Sequence, residues 1–267
     1  MYSSLQLAAK YAGYYFSASN GRGHGMHSPF VFDFILHVLN NGRGYEPPGN
    51  IEALRKQLLT DSTELFIEDL GAGSRTGLSK KRTVAALAAS ALKPPRLAKV
   101  LYRLVKHYKP AGIIELGTSL GITTAYLSSA NPDAVIKSIE GSAAVAAVAK
   151  ENLCKLGCGN VELITGNFDD RLAPAIQSLS AAPGLAYIDG NHRYEPTMRY
   201  FRQLLAVSDE YTILVFDDIH WSKEMEQAWN EIRQHPEVVY TVDIFFLGFV
   251  FFKREFKVKQ DFTVRFR

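Results

Sequence analysis

From residue 112 onward, short apolar runs rich in β-branched residues alternate with stretches of helical periodicity. No other feature constrains the fold as tightly. Runs at 112–115, 135–140, 161–165, 185–189 and 212–217 have strand length. The stretches between and after them, 123–129, 143–156, 174–179, 196–205 and 223–235, have helical character. Parallel strands need long crossover connections, and helices supply them, so this order predicts a mostly parallel sheet covered by helices. The chain closes with 238–246, a turn at Leu247-Gly248, and 249–254, the pattern of an antiparallel hairpin on the sheet edge. Its apolar residues, Ile244-Phe245-Phe246 and Phe249-Val250-Phe251-Phe252, suit burial in the sheet or against a second copy in a homodimer.

The first 95 residues differ in character. Helical periodicity is expected at 5–17, 29–39, 51–59 and 82–91, between loops rich in glycine and proline, with no convincing strand alternation. Pro94-Pro95 marks a boundary, because each proline biases its predecessor toward extended backbone. The expected organisation is a helical N-terminal extension or lid, 1–95, followed by an α/β domain, 96–267.

Composition narrows the function classes. Hydrophobic residues make up 47% and charged residues 21%, an ordinary globular balance. A net charge of +3 gives no electrostatic footprint for nucleic acid. The basic stretch Lys253-Arg254, Lys257 and Lys259 alternates with apolar residues, as on a solvated strand face. Cys154 and Cys158 have no histidine partners nearby in sequence and are expected as reduced thiols rather than a metal cage. No stretch is long and apolar enough for a membrane span, and Met1-Tyr2-Ser3-Ser4 lacks a signal-peptide layout, so a cytoplasmic location is expected.

The first predicted strand runs into Glu115-Leu116-Gly117-Thr118-Ser119-Leu120-Gly121. Gly117 permits a tight turn and close approach of backbone to a ligand, beside a helix N-terminus at the carboxyl end of a strand. The next strand ends in Ile139-Glu140, and an acid there can accept both ribose hydroxyls of a nucleoside. The turn lacks the third glycine of a dinucleotide fingerprint and the lysine of a P-loop. A second glycine turn, Glu68-Asp69-Leu70-Gly71-Ala72-Gly73-Ser74, is followed by a polar basic stretch and belongs to a loop of the N-terminal region.

The segment from Ile113 to about Trp221 resembles class I methyltransferases of the catechol/caffeoyl-CoA O-methyltransferase type. The shared pattern is E-L-G-x-x-x-G, then I-E, then G-x-x-x-D, then strands ending in acids. Asp189-Gly190-Asn191-His192-Arg193-Tyr194-Glu195 also resembles the D-G-x-H-x-Y-E element of a broader methyltransferase group. The resemblance implies a Rossmann-like, mostly parallel seven-stranded sheet and S-adenosylmethionine as cofactor. It places Glu115 and Gly117 under the methionine part, with Thr118, Ser119 and Gly121 in the same turn. Glu140 would bind ribose, and Gly166, Asn167 and Phe168 would border adenine. Asp189, counted with the cofactor as well, would join Asp217 and Asp218 as ligands of Mg²⁺ or another divalent ion. Two departures bear on the chemistry. Related enzymes carry Asn at the Asp218 position and Lys at the His192 position.

The residues themselves support such an acidic site. Asp189 and Asp217-Asp218 fall at strand carboxyl ends, and converging carboxylates repel unless a cation or basic groups neutralise them. Oxygen ligands with an open face suit Mg²⁺, which would lower the pKa of a bound hydroxyl. The alternative for each acid is capping a loop. His192 is a candidate general base, or a loop histidine that binds substrate. His220 and Trp221 are candidates for lining the acceptor pocket. The segment from His24 to Phe32, with His27, suits a substrate-recognition lid, while Ser28-Pro29 suits a helix start. The expected activity is methyl transfer to the oxygen of a small molecule. The alternatives are a nitrogen- or macromolecule-directed enzyme and a cofactor-binding interaction protein without catalysis.

Overall fold

The computed structural model describes residues 1–19, 21, 28–67, 81–253 and 258–266. His27, the glycine turn at 69–74, Arg254 and Lys257 lie outside the described residues.

Local signals in the sequence set most helix starts. Helix α1 (Ser4–Ser17) opens with a reciprocal capping box between Ser3 and Gln6. Helix α2 (Pro29–Phe34) is capped by the Ser28 hydroxyl and runs into a π-helical turn, Ile35–Leu39. After α3 (Gly49–Leu58), strands β1 (Glu64–Phe66) and β2 (Lys81–Thr83) form an antiparallel pair, and Thr83 caps α4 (Val84–Ala91). Helix α5 (Pro95–Tyr108) follows. The alternating part then runs β3 (Gly112–Leu116), α6 (Ile122–Ala130), β4 (Val135–Glu140), α7 (Ala143–Lys155), β5 (Val161–Thr165), α8 (Phe168–Gln177), β6 (Leu185–Ile188) and α9 (Tyr194–Leu205). It continues with β7 (Ile213–Asp217), α10 (Lys223–Gln234), β8 (Tyr240–Asp243), β9 (Leu247–Phe251) and β10 (Gln260–Thr263).

The expected α/β class and its five parallel-type strands are therefore present. Four details differ from the expectation. Leu247-Gly248 is not the hairpin turn but the start of β9, the turn being Ile244 to Phe246. Pro95 begins a helix rather than a linker, because proline at the first position forfeits no helical hydrogen bond. Strands β1 and β2 lie in the region expected to be helical throughout. Helix α8 starts at Phe168, six residues before the expected start, because Asn167 caps it and Asp169 and Asp170 face its positive end.

Contacts group the chain into two compact units, Arg43–Ser180, and Met1–Gly42 together with Ala181–Arg267. In the first, β3, β4 and β5 are parallel, with Ile113 opposite Ile136 and Ile139 opposite Ile164. Helix α5 packs on α6, α7 on β4 and β5, and α8 on β3 and β4. Leu97, Val100, Leu101, Leu104 and Val105 form the buried stripe of α5 at helical spacing. Gly121 begins α6 at φ +80°, where a Cβ would stand 3.3 Å from the Ala149 carbonyl oxygen, so glycine permits the close approach of α7.

In the second unit, β6 and β7 are parallel, β7 and β8 each pair antiparallel with β9, and β10 runs parallel to β8. Its core is aromatic: Phe201 and Trp229 from α9 and α10 meet Phe216, while Phe34 packs edge-on to Phe249. Helix α1 adds Tyr14 and Ala18 to a cluster with Phe245. Among the described residues no helix is long and apolar enough to cross a membrane.

Candidate functional site

The cofactor residues expected from sequence lie in the first unit, except Asp189, which lies in the second. Gly117 takes φ +100°, which only glycine adopts at no steric cost, and its N–H still donates to the Ile139 carbonyl at 2.9 Å. Ser119 is also left-handed, at φ +49°, and its N–H donates to Glu140 Oε2 at 2.8 Å. The other carboxylate oxygen, Oε1, accepts from Ser142 N–H at 3.0 Å. Burial raises the pKa of Glu140, and backbone N–H groups of Ser142, Ser119 and Gly141 partly offset that rise. Gly166 joins the same point, its N–H donating to the Glu140 carbonyl at 2.9 Å. The acid at the end of β4 is thus held in one orientation by its own turn.

Glu115 plays a more internal part. It is fully buried, and its Oε2 accepts from Thr124 and Ser138 hydroxyls, both at 2.6 Å. The Thr118 hydroxyl lies 2.6 Å from that of Ser138. Glu115 therefore ties β3 to α6 and β4 beneath the turn. Asn167 spends one acceptor position on the Asp169 N–H at 3.0 Å as the cap of α8, with Phe168 the first residue of that helix.

The acidic residues lie in the second unit. Asp189, His192 and Asp217 each offer one ligand atom, and these atoms lie within 4.8 Å of one another. The Tyr187 hydroxyl donates to Asp189 Oδ2 at 2.9 Å, and His192 Nε2 stands 3.6 Å from Asp189 Oδ1. Asp217 ends β7 and is 1% exposed. Asp218 is not part of that trio. Its backbone turns left-handed at φ +51°, and its N–H donates to the Phe246 carbonyl at 2.7 Å. Asn191, also left-handed at φ +56°, reverses the chain so that His192 comes back over Asp189.

His220 was expected against the acceptor, yet the fold commits both ring nitrogens to carboxylates. Nε2 lies 2.9 Å from Asp243 and Nδ1 3.1 Å from Glu226, while the ring stacks on Phe245. Glu226 in turn accepts from Tyr2 at 2.6 Å and from Lys10 at 2.9 Å, so the histidine anchors α1 to the loop after β7. The Tyr2 N–H adds a bond to the Trp221 carbonyl at 3.0 Å. Burial works against a charged ring, but the hydrogen bonds and charges of Asp243 and Glu226 outweigh it and raise the pKa. A raised folded pKa means that the stabilisation is complete below the unfolded value near 6.5 and is lost as pH rises through the folded value. His220→Gln is expected to cost about 2 kcal/mol at pH 6, since hydrogen bonds to charged groups contribute roughly that much. Thermal unfolding from pH 6 to 9 checks this. A deficit that fails to shrink at high pH contradicts the linkage.

Sequence reasoning missed Tyr187, Asp243, Glu226 and Ser142. For Tyr187 the signal was present: residues two apart in a strand share a face, so it stands beside Asp189. Asp243 and Glu226 carry no such mark, being brought to His220 from a separate strand and helix.

The comparisons with known proteins agree with this architecture. Residues 114–219 match the family model of a methyltransferase domain. No curated protein sequence matches the chain. An O-methyltransferase from Bacillus cereus in complex with S-adenosylhomocysteine (SAH) has a similar structure, with a TM-score of 0.53 and 20% identity. The match covers 61% of this chain and 83% of that one. TomG, an O-methyltransferase from Streptomyces achromogenes in complex with S-adenosylmethionine, matches with a TM-score of 0.53 and 19% identity over 61% and 82% of the two chains. The SAH-bound methyltransferase PaMTH1 of Podospora anserina reaches a TM-score of 0.59 at 13% identity, over 95% of this chain and 97% of its own. At these identities the likeness is one of fold. Residues 114–219 thus match a methyltransferase-domain model, and the fold is that of the class I S-adenosylmethionine-dependent methyltransferases.

Proposed function

We propose that this protein transfers a methyl group from S-adenosylmethionine to an oxygen of a small molecule, with a divalent cation held by Asp189 and Asp217. The observation that carries the oxygen and metal part is the grouping of Asp189, His192 and Asp217 at the carboxyl ends of β6 and β7. In open α/β sheets that end of the strands is where ligands bind. The donor set fits a divalent ion: two carboxylates from neighbouring parallel strands, with Asp189 partly open to solvent. When bound there, such an ion lowers the pKa of an acceptor hydroxyl and orients it. Two structural relatives are themselves named O-methyltransferases, which favours the same acceptor atom.

The chain's own residues supply binding and orientation. The turn from Gly117 to Gly121 brings backbone close to the methionine part, and Glu140 presents a fixed carboxylate to the two ribose hydroxyls. Tyr187 fixes the rotation of Asp189 through its second oxygen, so that Oδ1 faces the site. Methyl transfer is an in-line displacement, in which such positioning lowers the barrier as much as basicity does.

Calorimetry with SAH, then methyl transfer to a panel of phenolic, hydroxyl and amine acceptors with and without Mg²⁺, tests this. The expected result is SAH binding and Mg²⁺-dependent methylation of a hydroxyl. Absence of SAH binding would end the whole reading, and transfer to amines alone would end its oxygen half. Asp217→Asn is expected to leave SAH binding intact and to abolish the Mg²⁺ dependence.

A further inference from the structure

We infer that His192 is a ligand of the metal rather than the base of the reaction, and that this site prefers first-row transition ions to Mg²⁺. The inference rests on the metal-assisted transfer proposed above and adds to it the third protein ligand and the class of ion.

The geometry favours ligation over a base oriented by Asp189. A histidine that serves as a base and is oriented by a carboxylate shares a hydrogen bond with it, at about 2.7–3.2 Å. His192 Nε2 and Asp189 Oδ1 face each other at 3.6 Å, beyond hydrogen-bond length. That separation instead suits two atoms on one ion, each about 2.1 Å from it. Asp217 brings the third atom within 4.8 Å of the others, from the adjacent parallel strand. The cluster is therefore not a set of acids alone; it includes a nitrogen donor.

The loop that carries the imidazole is built to hold it there. Asn191 adopts φ +56° between the acid and the histidine, which folds the four residues from Asp189 back on themselves. The Asn191 side-chain amide donates to the Tyr200 hydroxyl at 3.2 Å, and Tyr194 N–H donates to Glu224 at 3.0 Å, so the loop is pinned to α9 and α10 on either side of His192. Tyr187 holds the far oxygen of Asp189, the outer support typical of a ligating carboxylate. His192 and Asp189 remain partly exposed, which leaves coordination positions for water and an acceptor hydroxyl.

The donor type then sets the preference. Carboxylate and water ligands suit Mg²⁺, whereas an imidazole raises affinity along the first-row series. His192 makes this a mixed nitrogen–oxygen set rather than an oxygen set alone.

The test uses the full chain, freed of metal and titrated with Co²⁺ and Mg²⁺ by calorimetry, with SAH binding measured in parallel as a check on folding. Co²⁺ is expected to bind at least about tenfold more tightly than Mg²⁺. The Co²⁺-loaded chain is expected to show a hyperfine-shifted imidazole N–H proton resonance. His192→Ala should lose that resonance and at least about tenfold in Co²⁺ affinity while binding SAH normally. His192→Asp, which substitutes an oxygen ligand, should recover binding but shift the preference toward Mg²⁺. Unchanged Co²⁺ affinity in His192→Ala would overturn the assignment. So would a loss confined to kcat, with an altered pH profile, since that marks a base. If the unsubstituted chain binds SAH but neither ion, the metal half of the proposed function falls with this inference, and methyl transfer stands alone. If it binds Mg²⁺ as well as Co²⁺ and His192→Ala is neutral, only this inference falls.

Discussion

Glu140→Ala is expected to weaken SAH binding about a hundredfold while leaving the chain folded. Each hydrogen bond to a charged group contributes about 1.5–3 kcal/mol, and the ribose offers two hydroxyls to one carboxylate, so a loss of about 3 kcal/mol is the central expectation. The carboxylate is already oriented by Ser119 N–H and Ser142 N–H, so little ordering cost offsets this contribution. The pH dependence follows from the direction of its shift. Burial raises the Glu140 pKa, so the ionised acceptor is lost as pH falls through a value above the ordinary carboxylate range. Affinity for SAH should therefore decline on acidification earlier than an exposed glutamate would dictate, and the variant should lack that decline. Calorimetry of both proteins across pH decides it. A dissociation constant within about threefold of the parent would remove Glu140 from the ribose site.

Gly248→Val is expected to lower the stability of the folded chain by about 3 kcal/mol, the upper end of the usual cost of overpacking. A Cβ at this position would stand 2.7 Å from two ring carbons of Trp229 and 3.0 Å from a third. The indole cannot yield easily, because Trp229 is 1% exposed and packs against Phe216. Strand β9 cannot yield either, since it is bonded to β7 on one side and β8 on the other. For a chain of this size the corresponding fall in Tm is roughly 6–12 °C, measurable by circular dichroism. An unchanged Tm would mean that β9 or the indole can shift at no cost.

That glycine also shows where sequence reasoning stops. A Leu-Gly pair between two aromatic runs has the composition of a hairpin turn, yet Gly248 sits inside a strand because an indole lies across its backbone. The same residue type serves both purposes, and only the partner distinguishes them. Helix α5 was hidden differently. Pro94-Pro95 punctuates the chain strongly, but Pro95 opens a helix whose stripe of Leu97, Val100, Leu101, Leu104 and Val105 has unmistakable helical spacing once the start is assigned. The β1–β2 pair and β10 were not legible, being three or four residues long with no buried residue to mark a face.

For the candidate site the division is similar. Gly117, Ser119 and Glu140 follow one another around a single turn and strand end, so their grouping is a local matter and was legible. Asp189 and Asp217 were legible because each closes an apolar run. The roles of His220 and His192 were not, because a titratable ring takes its function from what faces it. One ring faces Asp243 and Glu226 and became an anchor for α1; the other faces Asp189 at 3.6 Å.

By itself, then, the sequence determined the α/β class, the strand that carries each acid and the glycine turn that follows β3. These depend on periodicity and on residues adjacent in the chain, which short-range sterics and hydrogen bonding control. Tertiary structure alone decided that Gly248 lies beneath Trp229, that the partly buried His220 lies between two carboxylates, and that Asp218 is not one of the Asp189–His192–Asp217 trio. Each of those outcomes depends on which side chains from distant segments share a small volume. Close packing and charge pairing set that sharing, and neither leaves a periodic trace along the chain.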